Sequence, residues 1–343
     1  PHNGHPAQRP ARMPAPSLKT RERLSEVRYE IRGELARRAR ELEAGGRTLV
    51  KLNIGNPGAF GFRTPETMRL AMIENMAVAE GYCHQKGIFP AREAVVMQQQ
   101  LRGVTGISAE EVFIGNGVSE LIDLCLRALL NDGDEVLIPS PDYPLWSAAV
   151  TLNGGKAVYY PCRPENDFVP DPKEIEELVT RRTRAIVVIN PNNPTGAVYS
   201  REVCEAIAKL AESKKLIVFT DEIYDQMTYD GIEHVPMATL VRDTLCCTMS
   251  GLSKIYRACG YRVGWAAFSG SLRGAGDYLS ALELLSSLRL CSNVPAQWAV
   301  QTALGGYQSI RELMAPGGRL YESRRAITDA VRASQFLYLK PPK

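Results

Sequence analysis

Several features that many enzymes rely on are scarce or absent in this 343-residue sequence. It has four histidines, and two of them, His2 and His5, lie close to the first residue. A histidine-based zinc site or a Ser-His-Asp triad therefore has little to be built from. The G-x-G-x-x-G motif of nicotinamide-binding proteins is missing, and so is any apolar run of about 18 residues that could span a membrane. If the protein is an enzyme, a side chain other than histidine is expected to move the proton.

An excess of charge of one sign is also lacking, because 41 basic and 38 acidic residues leave a formal net charge of only +3. A balance this close gives no reason to expect nucleic-acid binding. The eight cysteines are scattered with no C-x-x-C pair, which is typical of reduced, mostly buried thiols and predicts a cytoplasmic protein. Residues 1–20 contain five prolines and no periodic apolar face, so they are predicted to be a disordered lead. The stretch from Arg21 to Glu43 that follows is basic and is predicted to be helical.

What the sequence does have is a series of short apolar runs that alternate with helical patterns from about residue 66 onward. Five of these runs have the length of a strand: Glu111–Ile114, Glu135–Ile138, Ala185–Ile189, Leu216–Phe219 and Leu245–Met249. Nearly all-apolar strands suit a sheet that is buried on both faces, with crossover helices between parallel strands. The sequence therefore predicts an α/β fold with a mostly parallel sheet flanked by helices.

Polar groups follow these runs, at the carboxyl ends of the predicted strands, where open α/β sheets gather ligand-binding groups. Gly115 and Gly117 precede a helical pattern that starts at Val118. Backbone N–H groups at such a helix start, together with Ser119, could bind a phosphate, although a tight turn explains the glycines equally well.

Asp221 ends another run, where a buried carboxylate costs free energy unless a cation or a hydrogen-bond donor pairs with it. It is either a helix N-cap or an anion opposite a protonated ring nitrogen.

Two further strand ends hold polar or aromatic side chains. The stretch from Asn193 to Gly196, N-P-T-G, is either simple turn chemistry or a way to present an amide to a ligand. Tyr143 lies in a proline-rich loop and is either a surface turn residue or a ring that stacks on a ligand. Tyr224 follows Asp221 by three residues and could point its hydroxyl group at the same ligand.

Lys254 comes directly after the last apolar run, and Arg262 stands eight positions later in a glycine-flanked stretch. A lysine amine is a nucleophile only when it is deprotonated, and burial or a nearby cation lowers its pKa from about 10.4. Arg262 is such a cation and is also a ligand for phosphate. The phosphate seat, the aspartate, the amide, the tyrosines, the lysine and the arginine share one rim. Together they indicate pyridoxal phosphate (PLP) held as a Schiff base on lysine.

These motifs resemble those of the fold-type I PLP-dependent aminotransferases of class I and II, especially the bacterial alanine (glutamate–pyruvate) aminotransferases. The resemblance runs from about Arg28 to the end of the chain. It rests on YEIRG (29–33), LNIGNP (52–57), GY (81–82), IGNGVSELI (114–122), PSPDYPLW (139–146), INPNNPTGAVYS (189–200), DEIYD (221–225), GLSKIYR (251–257), GYRVGW (260–265), RLCSNVPAQ (289–297) and TALGGYQSI (302–310). It implies a seven-stranded-type sheet with a smaller α+β domain, and amino-group transfer between alanine and 2-oxoglutarate.

Residue by residue, the resemblance implies that Lys254 forms the Schiff base and shuttles the proton, while Asp221 pairs with the pyridinium nitrogen. Asn193 and Tyr224 would bond the 3′-oxygen of the ring, and Tyr143 would stack on it. The phosphate would be bound by four residues: Val118, Ser119, Ser253 and Arg262. The catalytic residues are therefore expected to be Lys254, Asp221 and Tyr224, with no metal ion.

The resemblance also implies groups around the substrate and from a second subunit. Tyr82 matches a tyrosine that reaches the cofactor phosphate of the neighbouring subunit, so a homodimer with shared sites is expected. Gly55 and Asn193 would line the substrate site. Tyr29 and Arg32 belong to a segment that closes over the substrate in the alanine-type group.

The resemblance divides the chain into four parts: a disordered lead (1–20), an N-terminal segment with part of a small domain (21–62), a large PLP-binding domain (63–310) and the start of a C-terminal small domain (311–343). Residues 317–334 are predicted to form a long helix, and Phe336–Leu339 a strand. Because the family supplies an arginine for the substrate carboxylate further along, the natural protein is expected to extend beyond Lys343. The family's turn also predicts a cis peptide bond between Asn193 and Pro194.

Other functions remain open at this point. A fold-type I lyase or decarboxylase would use the same lysine and aspartate, and aminotransferases of aspartate, valine or aromatic substrates share the motifs. A PLP-sensing regulator needs a DNA-binding domain in front, and residues 1–40 are too short to form one. A nicotinamide dehydrogenase is disfavoured because its motif is missing.

Overall fold

A computed structural model describes residues 19–27, 29, 33–52, 54–306 and 310–339. Its centre is a seven-stranded sheet, whose strands are β1 (Val112–Gly115), β2 (Glu135–Ser140), β3 (Lys156–Pro161), β4 (Thr183–Ile189), β5 (Ile217–Asp221), β6 (Leu245–Gly251) and β7 (Gly264–Gly270). Their spatial order is β1-β7-β6-β5-β4-β2-β3. Only β7 runs antiparallel to its neighbours, β1 and β6. The other paired strands are parallel, which confirms the predicted fold class.

Helices connect and cover these strands. They are α1 (Glu34–Ala44), α2 (Glu66–Glu74), α3 (Phe89–Leu101), α4 (Val118–Leu129), α5 (Leu145–Leu152), α6 (Pro172–Glu177), α7 (Arg201–Lys214), α8 (Gly276–Leu288), α9 (Val294–Gly305), α10 (Ile310–Met314) and α11 (Arg319–Arg332). Within the described ranges, no helix is both long enough and apolar enough to cross a membrane.

The sheet separates two apolar layers, and this explains why its central strands are almost free of polar residues. Val218 and Cys246 face the layer that contains α3, α7 and α9, whereas the next residues, Phe219 and Cys247, face α4, α5 and α8. Side chains alternate between the two faces of a strand, so both sets must be apolar when both faces are covered. This construction leaves the carboxyl ends of β4, β5 and β6 as the place where polar groups can meet a ligand.

Every strand predicted from an apolar run is present, with its ends within two residues of those expected. The sequence pattern did not indicate β3 and β7. Strand β3 lies at the edge of the sheet and keeps Lys156 and Tyr159 exposed, so its composition is mixed. Strand β7 begins and ends with glycine and contains two alanines, which makes its apolar signal weak.

Two expectations about the chain ends are wrong. Phe336–Leu339 do not form a strand; Phe336 is 93% exposed and Tyr338 80% exposed, and no described strand lies alongside to supply hydrogen bonds. The helical pattern from Arg21 to Glu43 is not one continuous helix, because a short 3-10 turn at Glu22–Glu26 precedes α1, which begins at Glu34. The predicted helix within 317–334 is present as α11.

Candidate active site

A cavity at the carboxyl ends of the central strands is lined by twelve described residues. Nine of them belong to the predicted cofactor site: Val118, Ser119, Tyr143, Asn193, Asp221, Tyr224, Ser253, Lys254 and Arg262. The other three are Ile189, Ile223 and Cys259. The rim that the sequence pattern indicated is thus one continuous surface around one cavity.

Lys254 enters the cavity from the turn that follows β6. Gly251 is required at the start of this turn, because a Cβ atom there would lie 2.7 Å from the carbonyl oxygen of Val263. The Lys254 Nζ atom lies 5.9 Å from the ring centroid of Tyr224. Burial lowers the pKa of the Lys254 amine, and the charge of Arg262 lowers it further, while Cys259 and Asp221 act in the opposite direction. The amine is thereby brought closer to the neutral, nucleophilic form.

Asp221 ends β5 and is only 4% exposed. Its two carboxylate oxygens accept hydrogen bonds from the Trp146 indole Nε1 and from the Ile223 backbone N–H, both at 3.3 Å. Burial raises the pKa of Asp221 to about 6, although these two donors and the charge of Lys254 oppose the rise. The side chain thus caps the turn that follows β5 and is a buried acid whose ionised form a nearby cation would favour.

Asn193, Tyr224 and Tyr143 surround the same space from three loops. The Asn193–Pro194 peptide bond is cis, as predicted. Burial, reinforced by the Asp221 carboxylate, raises the pKa of Tyr224 to about 12, so its hydroxyl group remains a hydrogen-bond donor. Burial also raises the pKa of Tyr143, and a hydrogen bond with Tyr29 adds to this effect.

The opposite end of the cavity has the properties of an anion site. Helix α4 begins at Val118, and the N–H groups of its first turn have no acceptor within the helix. Arg262 lies against this helix start and donates from Nη2 to the carbonyl oxygen of Asn116 at 3.2 Å and from Nη1 to that of Cys259 at 2.8 Å. Gly117 has a φ of +84°, and a Cβ atom there would collide with the Arg262 guanidinium. Only glycine leaves the arginine room to sit beside the helix N-terminus.

The cavity therefore fits a ligand with two different ends. A phosphate suits the α4 N-terminus and Arg262, and a protonated ring nitrogen suits the buried Asp221 carboxylate. An aldehyde between these ends would lie near an amine, that of Lys254, whose pKa is lowered. PLP has all three groups, and the donor set matches it.

Of the four other predicted residues, the three that the structure describes do not line the cavity. Tyr29 is close by, since it interacts with the hydroxyl group of Tyr143. Gly55 is exposed, but its neighbour Asn56 accepts a hydrogen bond from the Cys259 thiol at 3.5 Å. Tyr82 is 81% exposed. The remaining one, Arg32, lies outside the described residues.

The sequence interpretation missed four residues of the site: Trp146, Ile189, Ile223 and Cys259. Trp146 is the last residue of the motif PSPDYPLW, so the resemblance includes its position. Its contribution to the site was missed because its hydrogen-bond partner, Asp221, is far away in sequence. Ile189 ends β4 and Ile223 lies in the turn after β5, and both are ordinary apolar residues. No sequence signal distinguishes them from core residues.

Comparison with known proteins gives the family. The profile of the aminotransferase class I and II family matches residues 47–343. Glutamate-pyruvate aminotransferase AlaA of Escherichia coli K12 is 52% identical over 302 residues, which are 88% of this chain and 75% of the relative. Alanine aminotransferase of Mycobacterium tuberculosis H37Rv is 49% identical over 303 residues, covering 88% of this chain and 71% of the relative.

Solved structures agree with this assignment. An aminotransferase from Escherichia coli superimposes with a TM-score of 0.93 at 48% identity, covering 95% of this chain and 81% of that one. Alanine aminotransferase from Pyrococcus furiosus gives a TM-score of 0.90 at 36% identity, covering 95% and 82%. Proteins of this family and fold are PLP enzymes. The chain thus belongs to the class I and II aminotransferases of fold type I and is a transaminase.

Proposed function

We propose that this protein binds PLP and transfers an amino group between L-alanine and 2-oxoglutarate, forming pyruvate and glutamate. The observation that supports the cofactor is the meeting of Lys254, Asp221 and Arg262 in one cavity. The names of the relatives at about 50% identity support the substrate pair. We also propose the cytoplasm as its location, on the pattern of scattered cysteines.

The residues of the cavity would hold the cofactor as follows. Val118, Ser119, Ser253 and Arg262 would bind its phosphate, and the Asp221 carboxylate would face its ring nitrogen. Asn193 and Tyr224 would donate to its 3′-oxygen, and Tyr143 would lie on one face of the ring. When bound, the cofactor supplies an electron sink for bonds at the substrate α-carbon.

Lys254 would act both as the anchor of the cofactor and as the acid/base. Because burial lowers the pKa of its amine, the neutral form that can accept a proton from the substrate α-carbon is populated more than in an exposed lysine. Protonated, the same Nζ atom can return the proton during the second half of the exchange. The buried Asp221 carboxylate is ionised above its pKa of about 6, so it would hold the ring nitrogen protonated.

The substrate would approach from the side of the N-terminal segment. Asn193 lines the cavity and has an amide that can bond a substrate carboxylate. Gly55 lies beside Asn56, which contacts the cavity residue Cys259, and Tyr29 interacts with Tyr143. We propose Gly55, Asn193, Tyr29 and Arg32 as substrate-facing residues, and residues 63–310 as the large cofactor-binding domain.

A panel of the twenty amino acids tests this assignment. In single-turnover mixing with the PLP-loaded protein, L-alanine and L-glutamate should change the visible absorbance of the cofactor and yield pyruvate and 2-oxoglutarate. Aspartate, valine and the aromatic amino acids should react more slowly. Release of carbon dioxide or ammonia without an amino acceptor would instead indicate a lyase or decarboxylase.

We further propose a homodimer in which Tyr82 completes the phosphate site of the other subunit. Exposed apolar side chains close to this tyrosine in sequence, Ile73 at 59% and Val78 at 67%, together with Leu288 at 74%, would be covered by the partner. Mixing inactive Lys254→Ala subunits with inactive Tyr82→Ala subunits should recover about a quarter of the parental activity, because half of the dimers would be hybrids with one intact site. Complete subunit exchange without recovery would contradict the shared site.

A further inference from the structure

We propose that Arg289 is a positioning residue for the phosphate site, where it offsets the charge of a carboxylate, Glu120, that braces the loop before α4. The proposal rests on the proposed PLP function and extends it to residues outside the cavity. Arg289 follows α8 in sequence, and Glu120 lies in the first turn of α4.

Glu120 holds the loop that leads into the phosphate site. Its Oε2 accepts from the backbone N–H of Asn116 at 2.8 Å, and its Oε1 accepts from the side-chain amide of the same residue at 2.9 Å. Asn116 in turn accepts from Arg262 through its backbone carbonyl and from the Asn293 N–H through its side chain, at 3.2 and 2.9 Å. The carboxylate therefore fixes the residue to which Arg262 is bound.

This brace has an electrostatic cost. Glu120 is adjacent to Ser119 at the N-terminus of α4, where the helix dipole favours an anion. A phosphate bound there competes for the same positive end and is repelled by the carboxylate. With side-chain exposure of 24%, Glu120 is only partly screened by solvent. A cation in contact with Glu120 would remove most of the repulsion.

Arg289 is placed to be that cation. Its Nε atom lies 3.2 Å from the Glu120 Oε2, in ion contact but without hydrogen-bond alignment. Its Nη2 atom donates to the carbonyl oxygen of Ile114 at 2.9 Å, so the guanidinium also holds the end of β1. The side chain is 16% exposed. In the part of the chain that the structure describes, Arg289 does not line the cavity, and it is therefore not a substrate ligand there.

The test measures cofactor affinity in the full chain freed of cofactor, with PLP and with pyridoxal, which lacks the phosphate. Arg289→Met should weaken PLP binding by about tenfold. Without the arginine, the negative charge of Glu120 repels the PLP phosphate, and solvent screens this repulsion only in part. Pyridoxal affinity should change by less than about twofold, since no phosphate is repelled. Adding Glu120→Gln to Arg289→Met should return the PLP affinity to within about threefold of the parent. High salt should reduce the loss of PLP affinity that Arg289→Met alone causes.

Two further variants sharpen the result. Arg289→Lys keeps the positive charge but not the planar guanidinium group, so this variant should bind PLP better than Arg289→Met does. Arg163→Met removes an arginine that is paired with Glu174 away from the cavity, and it should bind both ligands like the parent. Equal weakening of PLP and pyridoxal by Arg289→Met, or no recovery in the double variant, would overturn the inference. A parent protein that binds no PLP would overturn the proposed function itself.

Discussion

The two sides of the cavity are built differently. On the cofactor side, Asp221 is 4% exposed and receives two hydrogen bonds. On the side of the N-terminal segment, Val50 and Leu52 are more than 80% exposed, and a thiol contact joins Asn56 of this segment to the cavity residue Cys259. The groups proposed to act on the cofactor are thus fixed by the sheet, whereas Tyr29 and Gly55, two of those proposed for the substrate, lie on the more exposed N-terminal segment.

This difference has a functional consequence. Chemistry at a fixed cofactor requires buried, preorganised groups, because no free energy is then needed to reorient them in the transition state. A peripheral segment can instead change its contacts with the substrate without disturbing the sheet. We therefore expect substitutions on the cofactor side to reduce kcat strongly and substitutions on the N-terminal side to affect mainly KM.

The largest effect is expected at Lys254. Lys254→Ala removes the anchor and the acid/base together and should lower kcat by at least about 10³-fold. Borohydride reduction followed by intact-mass measurement should attach one cofactor to the parent and none to the variant. Lys209→Ala, at an exposed lysine of α7, is the matched control and should keep both activity and attachment. Transamination by Lys254→Ala near the parental rate would refute the role of this residue.

A smaller effect, with a defined pH dependence, is expected at Trp146. Its indole N–H stabilises the ionised form of Asp221 and so opposes the rise of the pKa towards about 6. Trp146→Phe should raise the pKa of Asp221 further and move the acid limb of the kcat/KM profile to higher pH. We expect kcat/KM to fall by about tenfold near pH 6 and by a smaller factor at pH 8.

Trp298→Phe provides the control for this prediction, since no hydrogen bond between Trp298 and Asp221 is found among the described residues. Its pH profile should coincide with that of the parent. A uniform loss at all pH values in Trp146→Phe would mean that the indole acts by packing alone.

The same contrast explains what could be predicted from the sequence. The cofactor side was predictable because its residues lie at or after the ends of buried strands. Strand ends such as those at Asp221 and before Lys254 are marked by an abrupt change from apolar to polar residues. Family resemblance then gave a specific role to each position. The family and its fold are confirmed by the comparisons, while the individual roles stay predictions.

What the sequence could not indicate depends on tertiary contacts. The bond from Trp146 to Asp221 and the ion contact between Arg289 and Glu120 join residues that are remote in sequence. The wrongly predicted strand at Phe336–Leu339 shows the converse, because a suitable composition forms no strand without a neighbour to pair with. The edge strand β3 was missed because its exposed face dilutes the apolar pattern.

The smallest effect is expected at Tyr29, in the N-terminal segment. Its interaction with the Tyr143 hydroxyl joins the N-terminal segment to the cofactor side and contributes to the raised pKa of Tyr143. Tyr29→Phe removes one hydrogen bond while keeping the ring, and such a bond is worth about 0.5–1.5 kcal/mol. KM for alanine should therefore rise by roughly 2- to 10-fold, with kcat within about twofold of the parent.

Steady-state kinetics at several alanine concentrations would check this, with Tyr159→Phe at the half-exposed edge strand β3 as the control. If Tyr29→Phe lowered kcat as strongly as a substitution at Asp221 does, the N-terminal segment would belong to the catalytic side. The division between a fixed cofactor side and an adaptable substrate side would then be wrong. If KM alone changes, substrate preference can be altered through this segment without loss of the chemistry.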